Sequence, residues 1–308
     1  MLNKTNLVIL TYDAECIDKL LKYHPMSHNH SIHILADDRK DTNLIEKIKT
    51  SINKWNVEVV DITSTKTVFQ YFKDTVGLSD KDIQVVQDYP PLIKLLMLPY
   101  YYEVKQLKKI FYSDDDVMIV KPLDNLYNSC ELACRGDALD RSDKNHSFAS
   151  QIFNSPEITD RIVYGKTIAL QTGGIVLKMD NQLVQEIKRV IKDVLNNKDI
   201  VSYITAPLRP GVLRGRRWTF EQSLYSFLIY EYTKRTGLVL HKMTGKDMRI
   251  FTPSKKNVNE LAKKTITKVP CILHYCCTSK KETREAIECI IKRSERYMGQ
   301  YINYSKFT

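Results

Sequence analysis

A chain of 308 residues, 43% hydrophobic, with only ten Pro and ten Gly, carries enough apolar material for a packed core, which excludes a disordered or collagen-like protein. No run of about 18 apolar residues occurs, so no membrane span is expected. Seven Cys, an odd number without a Cys-x-x-Cys pair, argue for reduced, mostly buried thiols against a disulfide framework or a zinc site. The net charge of +11 admits nucleic acid, an anionic membrane or an acidic small molecule, but no zinc finger, helix-turn-helix or aromatic-basic RNA motif accompanies it.

The first residues lack a basic region followed by a long apolar run, so no signal peptide is expected and a cytoplasmic location follows. Leu7-Val8-Ile9-Leu10 reads as a buried strand, and residues 14–23, with Ile17, Leu20 and Leu21, as a helix. A strand at Ile32-His33-Ile34-Leu35 ends at Asp37-Asp38. A helix over residues 43–55 lines up Leu44, Ile45, Ile48 and Ile52, and Val57-Glu58-Val59-Val60 is a third strand. Strands alternating with helices at this spacing predict an α/β fold with a parallel sheet.

Residues 91–104 predict a helix opened by Pro91, which feeds a strand at Ile110-Phe111-Tyr112. Next comes the most telling feature, Asp114-Asp115-Asp116. Three adjacent acids between apolar segments repel one another and resist desolvation, and a hard divalent cation relieves both problems. Strand-like alternation assigns the cation to Asp114 and Asp116 and turns Asp115 away, leaving it the least constrained of the three. In open α/β sheets ligands bind beyond the carboxyl ends of strands, where this triplet falls.

Further on, residues 131–134 predict a strand, residues 137–159 an irregular polar excursion, and Gln171-Thr172-Gly173-Gly174 a tight turn before a strand at Ile175-Val176-Leu177. Residues 182–195 predict an amphipathic helix through Val184, Ile187, Val190, Ile191 and Val194. Residues 207–217 form a basic loop. Thr219-Phe220-Glu221-Gln222 matches a helix capping box and sets a carboxylate and an amide in a first helical turn. Ile272-Leu273-His274 is a late strand, and Ser279-Lys280-Lys281-Glu282 a second capping box opening a C-terminal helix.

In this order the four elements resemble the retaining nucleotide-sugar glycosyltransferases of family 8, the glycogenin and bacterial lipopolysaccharide glycosyltransferase group. Tyr112-Ser113-Asp114-Asp115-Asp116 is similar to that family's Tyr-Leu-Asp-Ala-Asp. Gln171-Thr172-Gly173 stands where the family has Asn-Ser-Gly or Asn-Ala-Gly, Glu221-Gln222 where it has Asp-Gln, and His274 through Lys280 keeps its His-to-Lys spacing. The resemblance covers residues 5–285. It implies a single GT-A domain: a Rossmann-like, mostly parallel sheet flanked by helices, with a nucleotide-binding half (1–128), a donor-sugar and acceptor half (129–285) and a C-terminal helix and tail (286–308).

The same resemblance implies Mn2+ (or Mg2+) held by Asp114, Asp116 and His274, and a UDP-sugar donor, UDP-glucose or UDP-galactose. Thr11 and Tyr12 would hold uracil and ribose, Lys94 the nucleotide-sugar, Lys280 the diphosphate, Gln171 and Glu221 the donor sugar, and Gln222 would lie near the anomeric carbon. Asp115 and Gly173 complete the donor-binding set. The acceptor would be a saccharide or a protein Tyr, including the chain's own Tyr, and a homodimer is a further expected partner. The departures are Gln171 for Asn, Glu221 for Asp, Cys277 for Gly and Lys281-Glu282 for Pro-Trp. Three other readings stay open: an inverting enzyme with Glu221 as base; a polyanion or nucleic-acid binder using Arg209, Arg214, Arg216 and Arg217 around Trp218, which the missing motifs disfavour; and a nucleotidyltransferase, which lacks its glycine-rich phosphate loop.

Overall fold

In the computed structural model, residues 4–23, 30–119, 121–137, 143–154, 169–206, 220–251 and 271–275 are described. The first half runs β1 (Thr5–Thr11), α1 (Ala14–Tyr23), β2 (His30–Ala36), α2 (Leu44–Trp55), β3 (Val59–Ser64), α3 (Thr65–Val76), α4 (Asp80–Asp88), a 3-10 turn (Pro90–Leu92), α5 (Ile93–Glu103) and β4 (Lys109–Asp114). The second half runs β5 (Val117–Ile119), α6 (Asp124–Ser129), β6 (Leu132–Asp137), α7 (Asp143–Phe153), β7 (Ala169–Lys178), α8 (Asn181–Asn196), α9 (Lys198–Thr205), α10 (Phe220–Thr236), β8 (His241–Lys242), β9 (Met248–Phe251) and β10 (Ile272–Tyr275).

The α/β class with a mostly parallel sheet flanked by helices is what the chain adopts. Seven strands lie in the order β3-β2-β1-β4-β7-β6-β8, and β7 alone runs against its neighbours. Pleat alternation divides the core in two. Val8 and Leu10 of β1, Ile110 and Tyr112 of β4, and Ile175 and Leu177 of β7 face the layer built on α3, α4, α5, α8 and α10. Leu7 and Ile9, Phe111 and Val176 face the layer built on α1, α2 and α6. Each fully buried Leu, Ile, Val or Phe contributes about 1.5–3 kcal/mol, so both faces are strongly specified and a one-residue slip in register is costly.

Helix α5 is buried on nearly every side, through Ile93, Leu95, Leu96, Met97, Leu98 and Tyr101. It carries Lys94 into the interior. Helix α8 has the amphipathic face read from its sequence, with Leu183, Val184, Ile187, Val190, Ile191 and Val194 buried, and Asp180 caps it by accepting from Leu183 N at 2.7 Å.

Three expectations need correction. The third strand begins at Val59 and runs to Ser64, because α2 ends in a left-handed cap at Asn56 and Val57 N still bonds to Ile52 O. Residues 137–159 are not wholly irregular: α7 forms there because Ala149 and Ile152 are buried, while Phe148 packs near Tyr203 and Phe153 near Phe227. Gln171-Thr172-Gly173-Gly174 is not a turn but the middle of β7, Gln171 pairing with Arg135 and Gly174 with Ser113, with a register shift in β6 at Cys134/Arg135. Strand β10 does not join the main sheet. It pairs with β5 and β9 in a second, three-stranded sheet. The expected capping boxes fall wholly or partly outside the described residues. Cys16, Cys130, Cys134 and Cys271 are reduced cysteines, and no described helix is long and apolar enough to cross a membrane.

Candidate functional site

The strand order reverses direction at β1, whose neighbours are β2 on one side and β4 on the other. Such a switch point opens a crevice beyond the carboxyl ends of the strands. Parallel pairing of β1 with β4, with Leu10 opposite Asp114, brings both carboxyl ends to the same level, so Thr11-Tyr12 and the acidic triplet meet there. Asp115 is the residue that joins them. Its Oδ2 accepts from Thr11 Oγ1 at 3.0 Å and from Tyr12 N at 3.1 Å. The sequence reading of Asp115 as the least constrained acid is therefore wrong: the chain turns after β4, strand alternation lapses, and the carboxylate bonds back to β1. Burial, together with the neighbouring Asp116, raises the Asp115 carboxyl to about 7.

Strand β5 leaves this turn and pairs antiparallel with β10, His274 standing opposite Val117. That register delivers the imidazole to the triplet. Single ligand atoms of Asp114, Asp116 and His274 all lie within 4.8 Å of one another. His274 is 2% exposed, and its Nε2 lies 3.2 Å from Asp116 Oδ1. Burial alone would raise the Asp116 carboxyl, yet the adjacent imidazole and Lys94 hold it below its ordinary value; burial alone would lower the His274 pKa, yet Asp116 and Asp114 raise it. Asp116 Oδ1 and His274 Nδ1 are buried without a hydrogen-bond partner among the described residues. Two carboxylates and an imidazole converging with unsatisfied polar atoms fit a divalent cation.

The room for His274 is made by Gly173. A Cβ on that residue would sit 2.3 Å from His274 Cε1 and 2.8 Å from Nε2. The missing side chain of Gly173 admits the imidazole ring.

Lys94 lies beneath the triplet. Its Nζ is 2.8 Å from Asp114 Oδ2, and 3.5 Å from both Glu221 Oε1 and Thr172 Oγ1. The two carboxylates outweigh its burial and hold the ammonium charged, with a raised pKa. Tyr112 O–H donates to Asp114 Oδ1. Glu221, in the first turn of α10, is 2% exposed and accepts from Thr172 Oγ1 at 2.7 Å, and burial raises its carboxyl. It points inward, onto Lys94 and Thr172. Gln222 follows it, with its carbonyl accepting from Ser226 Oγ at 2.8 Å.

A cleft of about 390 Å3 opens over the triplet, lined by Tyr12, Asp37, Arg39, Lys40, Pro90, Pro91, Lys94 and the three acids. Asp37 is buried and clamped by Arg39 and Thr65. Of the residues singled out from sequence, the fold gathers Thr11, Tyr12, Lys94, Asp114, Asp115, Asp116, Gly173, Glu221 and His274 around this crevice. The backbone of Gln171 lies two residues before Gly173 on β7. Lys280 and the basic loop with its four Arg lie outside the described residues. Sequence reading gave no role at this site to Thr172, to the Asp37–Arg39 pair or to Tyr225, which it named only among the Tyr residues open to self-glucosylation. Only Arg39, next to the Asp37-Asp38 strand end, carried a local cue.

No family model matches the chain, and no curated protein matches it. Solved structures align with parts or most of it. Mouse xyloside xylosyltransferase 1, in its apo form, aligns with a TM-score of 0.48 and 9% identity over 89% of this chain and 98% of its own. The apo bifunctional glycosyltransferase WbbM aligns with a TM-score of 0.49 and 14% identity over 98% of this chain, which spans 52% of that protein. The mannosyltransferase Ktr4p from S. cerevisiae, in complex with GDP, aligns with a TM-score of 0.39 and 9% identity over 73% of this chain and 66% of its own.

Proposed function

We propose that this chain is a GT-A glycosyltransferase that uses Mn2+ to move a hexose from a UDP-sugar to a hydroxyl acceptor. The observation that carries this reading is the convergence of Asp114, Asp116 and His274 within 4.8 Å at the switch point of an α/β sheet, at the floor of a cleft. Those three residues would hold the cation, and an imidazole among the donors favours Mn2+ over Mg2+. When bound, the ion supplies Lewis-acid charge toward the diphosphate oxygens.

The chain's own residues do the rest. The edge of β1, with Thr11 and Tyr12 fixed by Asp115, receives the nucleoside. Lys94 supplies a half-buried positive charge beneath the site, and Lys280 a second cation for the diphosphate. Gln171 orients the donor sugar, and Gln222, a poor nucleophile, positions groups about the anomeric carbon as it gains oxocarbenium character. Glucose as the hexose and retention of configuration follow from the family resemblance. Glu221 as the base of an inverting reaction is the weaker reading, because its carboxylate is buried against Thr172 and Lys94 and turned from the cleft.

Glucosylation of the chain's own Tyr is narrowed by burial. Tyr225 and Tyr232 are buried, with hydroxyls donating to the carbonyls of Lys94 and Lys178. Tyr230, half-buried, is the better candidate on α10; Tyr297, Tyr301 and Tyr304 lie outside the described residues. Thermal unfolding with UDP and Mn2+ tests the central claim. The two together raise the melting temperature of the wild type and leave Asp116→Ala unmoved; an equal rise in both overturns it.

A further inference from the structure

Lys94 is an ammonium placed between two carboxylates, and its surroundings distinguish them. Helix α5 is held by its surroundings here: it is buried on nearly all sides, and Tyr225 O–H donates to the Lys94 carbonyl at 2.8 Å. The four-carbon side chain can pivot over a fixed backbone. Its Nζ sits at 2.8 Å from Asp114 Oδ2 and at 3.5 Å from Glu221 Oε1, with Thr172 Oγ1, itself hydrogen-bonded to Glu221, also at 3.5 Å. Glu221 Oε2 is buried and accepts no hydrogen bond among the described residues. Asp114 is therefore paired with Lys94, while Glu221 has acceptor capacity to spare.

Asp114 is also one of the three groups that converge for a divalent cation. Two cations on one carboxylate repel strongly at this range in a partly dehydrated site. We propose that Lys94 is an internal cation that leaves Asp114 for Glu221 when a divalent ion binds, so that Glu221 is a positioning residue that sets the affinity of the Asp114–Asp116–His274 site. The inference rests on the metal-site reading given above. It gives Glu221 a task suited to its burial, and Thr172 the task of holding that carboxylate in reach of the ammonium. Without Glu221 the ammonium has one carboxylate to sit on, and it is the one the ion needs.

The test is direct Mn2+ binding to the full chain without donor, followed by the loss of free-Mn2+ electron paramagnetic resonance signal. Wild type, Lys94→Met, Glu221→Gln and the double variant are compared, each shown folded by circular dichroism. Lys94→Met tightens Mn2+ binding on the order of tenfold, and Glu221→Gln weakens it by roughly severalfold. In the Lys94→Met background, Glu221→Gln has no effect on affinity, which a merely structural role for Glu221 would not produce. Equal weakening in both backgrounds, or unchanged affinity in Lys94→Met, overturns the shuttle and leaves the metal site standing. Wild type that binds no Mn2+ overturns the metal site and the shuttle with it. Should Lys94→Met not fold, Lys94→Gln, which retains a donor toward Thr172 and Asp114, takes its place in the cycle under the same criteria.

Discussion

Gly173 and His274 occupy what would be the same space if either side chain were larger: the imidazole fills the position of the missing Cβ, 2.3 Å from Cε1. One residue is in the main sheet and the other in the small sheet, so the glycine is the point at which the two sheets close around the acids.

Gly173→Ala is expected to displace the imidazole from Asp116. Both backbones are held in ladders, so the ring gives way, at a stability cost of about 1–3 kcal/mol from overpacking. Mn2+ affinity falls by roughly tenfold or more with one of three ligands misplaced. An isothermal titration showing unchanged Mn2+ binding by a folded Gly173→Ala variant would contradict the role given to this contact.

Asp180→Ala serves as the opposite case. It removes the cap on α8 and the ion pair with Arg235, on a surface remote from the acids. A loss of about 1–2 kcal/mol in denaturant unfolding is expected, with Mn2+ affinity unaltered. A change in Mn2+ affinity would show that stability and site integrity are not separable in this fold.

Acid sensitivity should trace in part to His33. It is buried on β2 against the edge of Tyr101, with Asp61 and Lys105 near it, and burial lowers its pKa below the ordinary value. Above about pH 6.5 neither the folded nor the unfolded chain holds this proton and the residue has no effect. As pH falls through that value the unfolded chain takes up a proton that the folded one resists, so stability drops until the folded pKa is reached. His33→Phe, which keeps an edge-on ring at Tyr101, removes this component. The difference in melting temperature between pH 7.5 and pH 5.5 is then smaller in the variant; equal differences refute the assignment.

Incubation with UDP-glucose and Mn2+ followed by intact mass measurement addresses self-glucosylation. An added hexose that persists in Tyr225→Phe and Tyr232→Phe is expected, since both hydroxyls are engaged inside the fold. Donor hydrolysis without any added hexose would remove the chain's own Tyr from the acceptors.

Much of the fold was legible locally. Leu7-Val8-Ile9-Leu10 and Ile110-Phe111-Tyr112 are apolar on both faces because both faces of their strands are covered, and the period of α8 shows directly in Val184, Ile187, Val190, Ile191 and Val194. Less legible were α7, whose amphipathic face is short, and Gln171-Thr172-Gly173-Gly174, where two glycines look like a turn but serve close packing on Phe111, Met248 and His274.

The sequence by itself determined that three adjacent carboxylates lie at the end of a buried strand and need a countercharge, because like charges at fixed short spacing repel whatever the fold. It also determined the α/β alternation that places this strand end. Only the tertiary structure decided which countercharges arrive. His274 comes through the pairing of β10 with β5, Lys94 through a helix buried on nearly every side, and Glu221 through the packing of α10 over β7. Those contacts join residues far apart in the chain, and their geometry follows from strand register and helix packing, which no local pattern encodes. The same register turned Asp115 from a bystander into the link between the acids and β1.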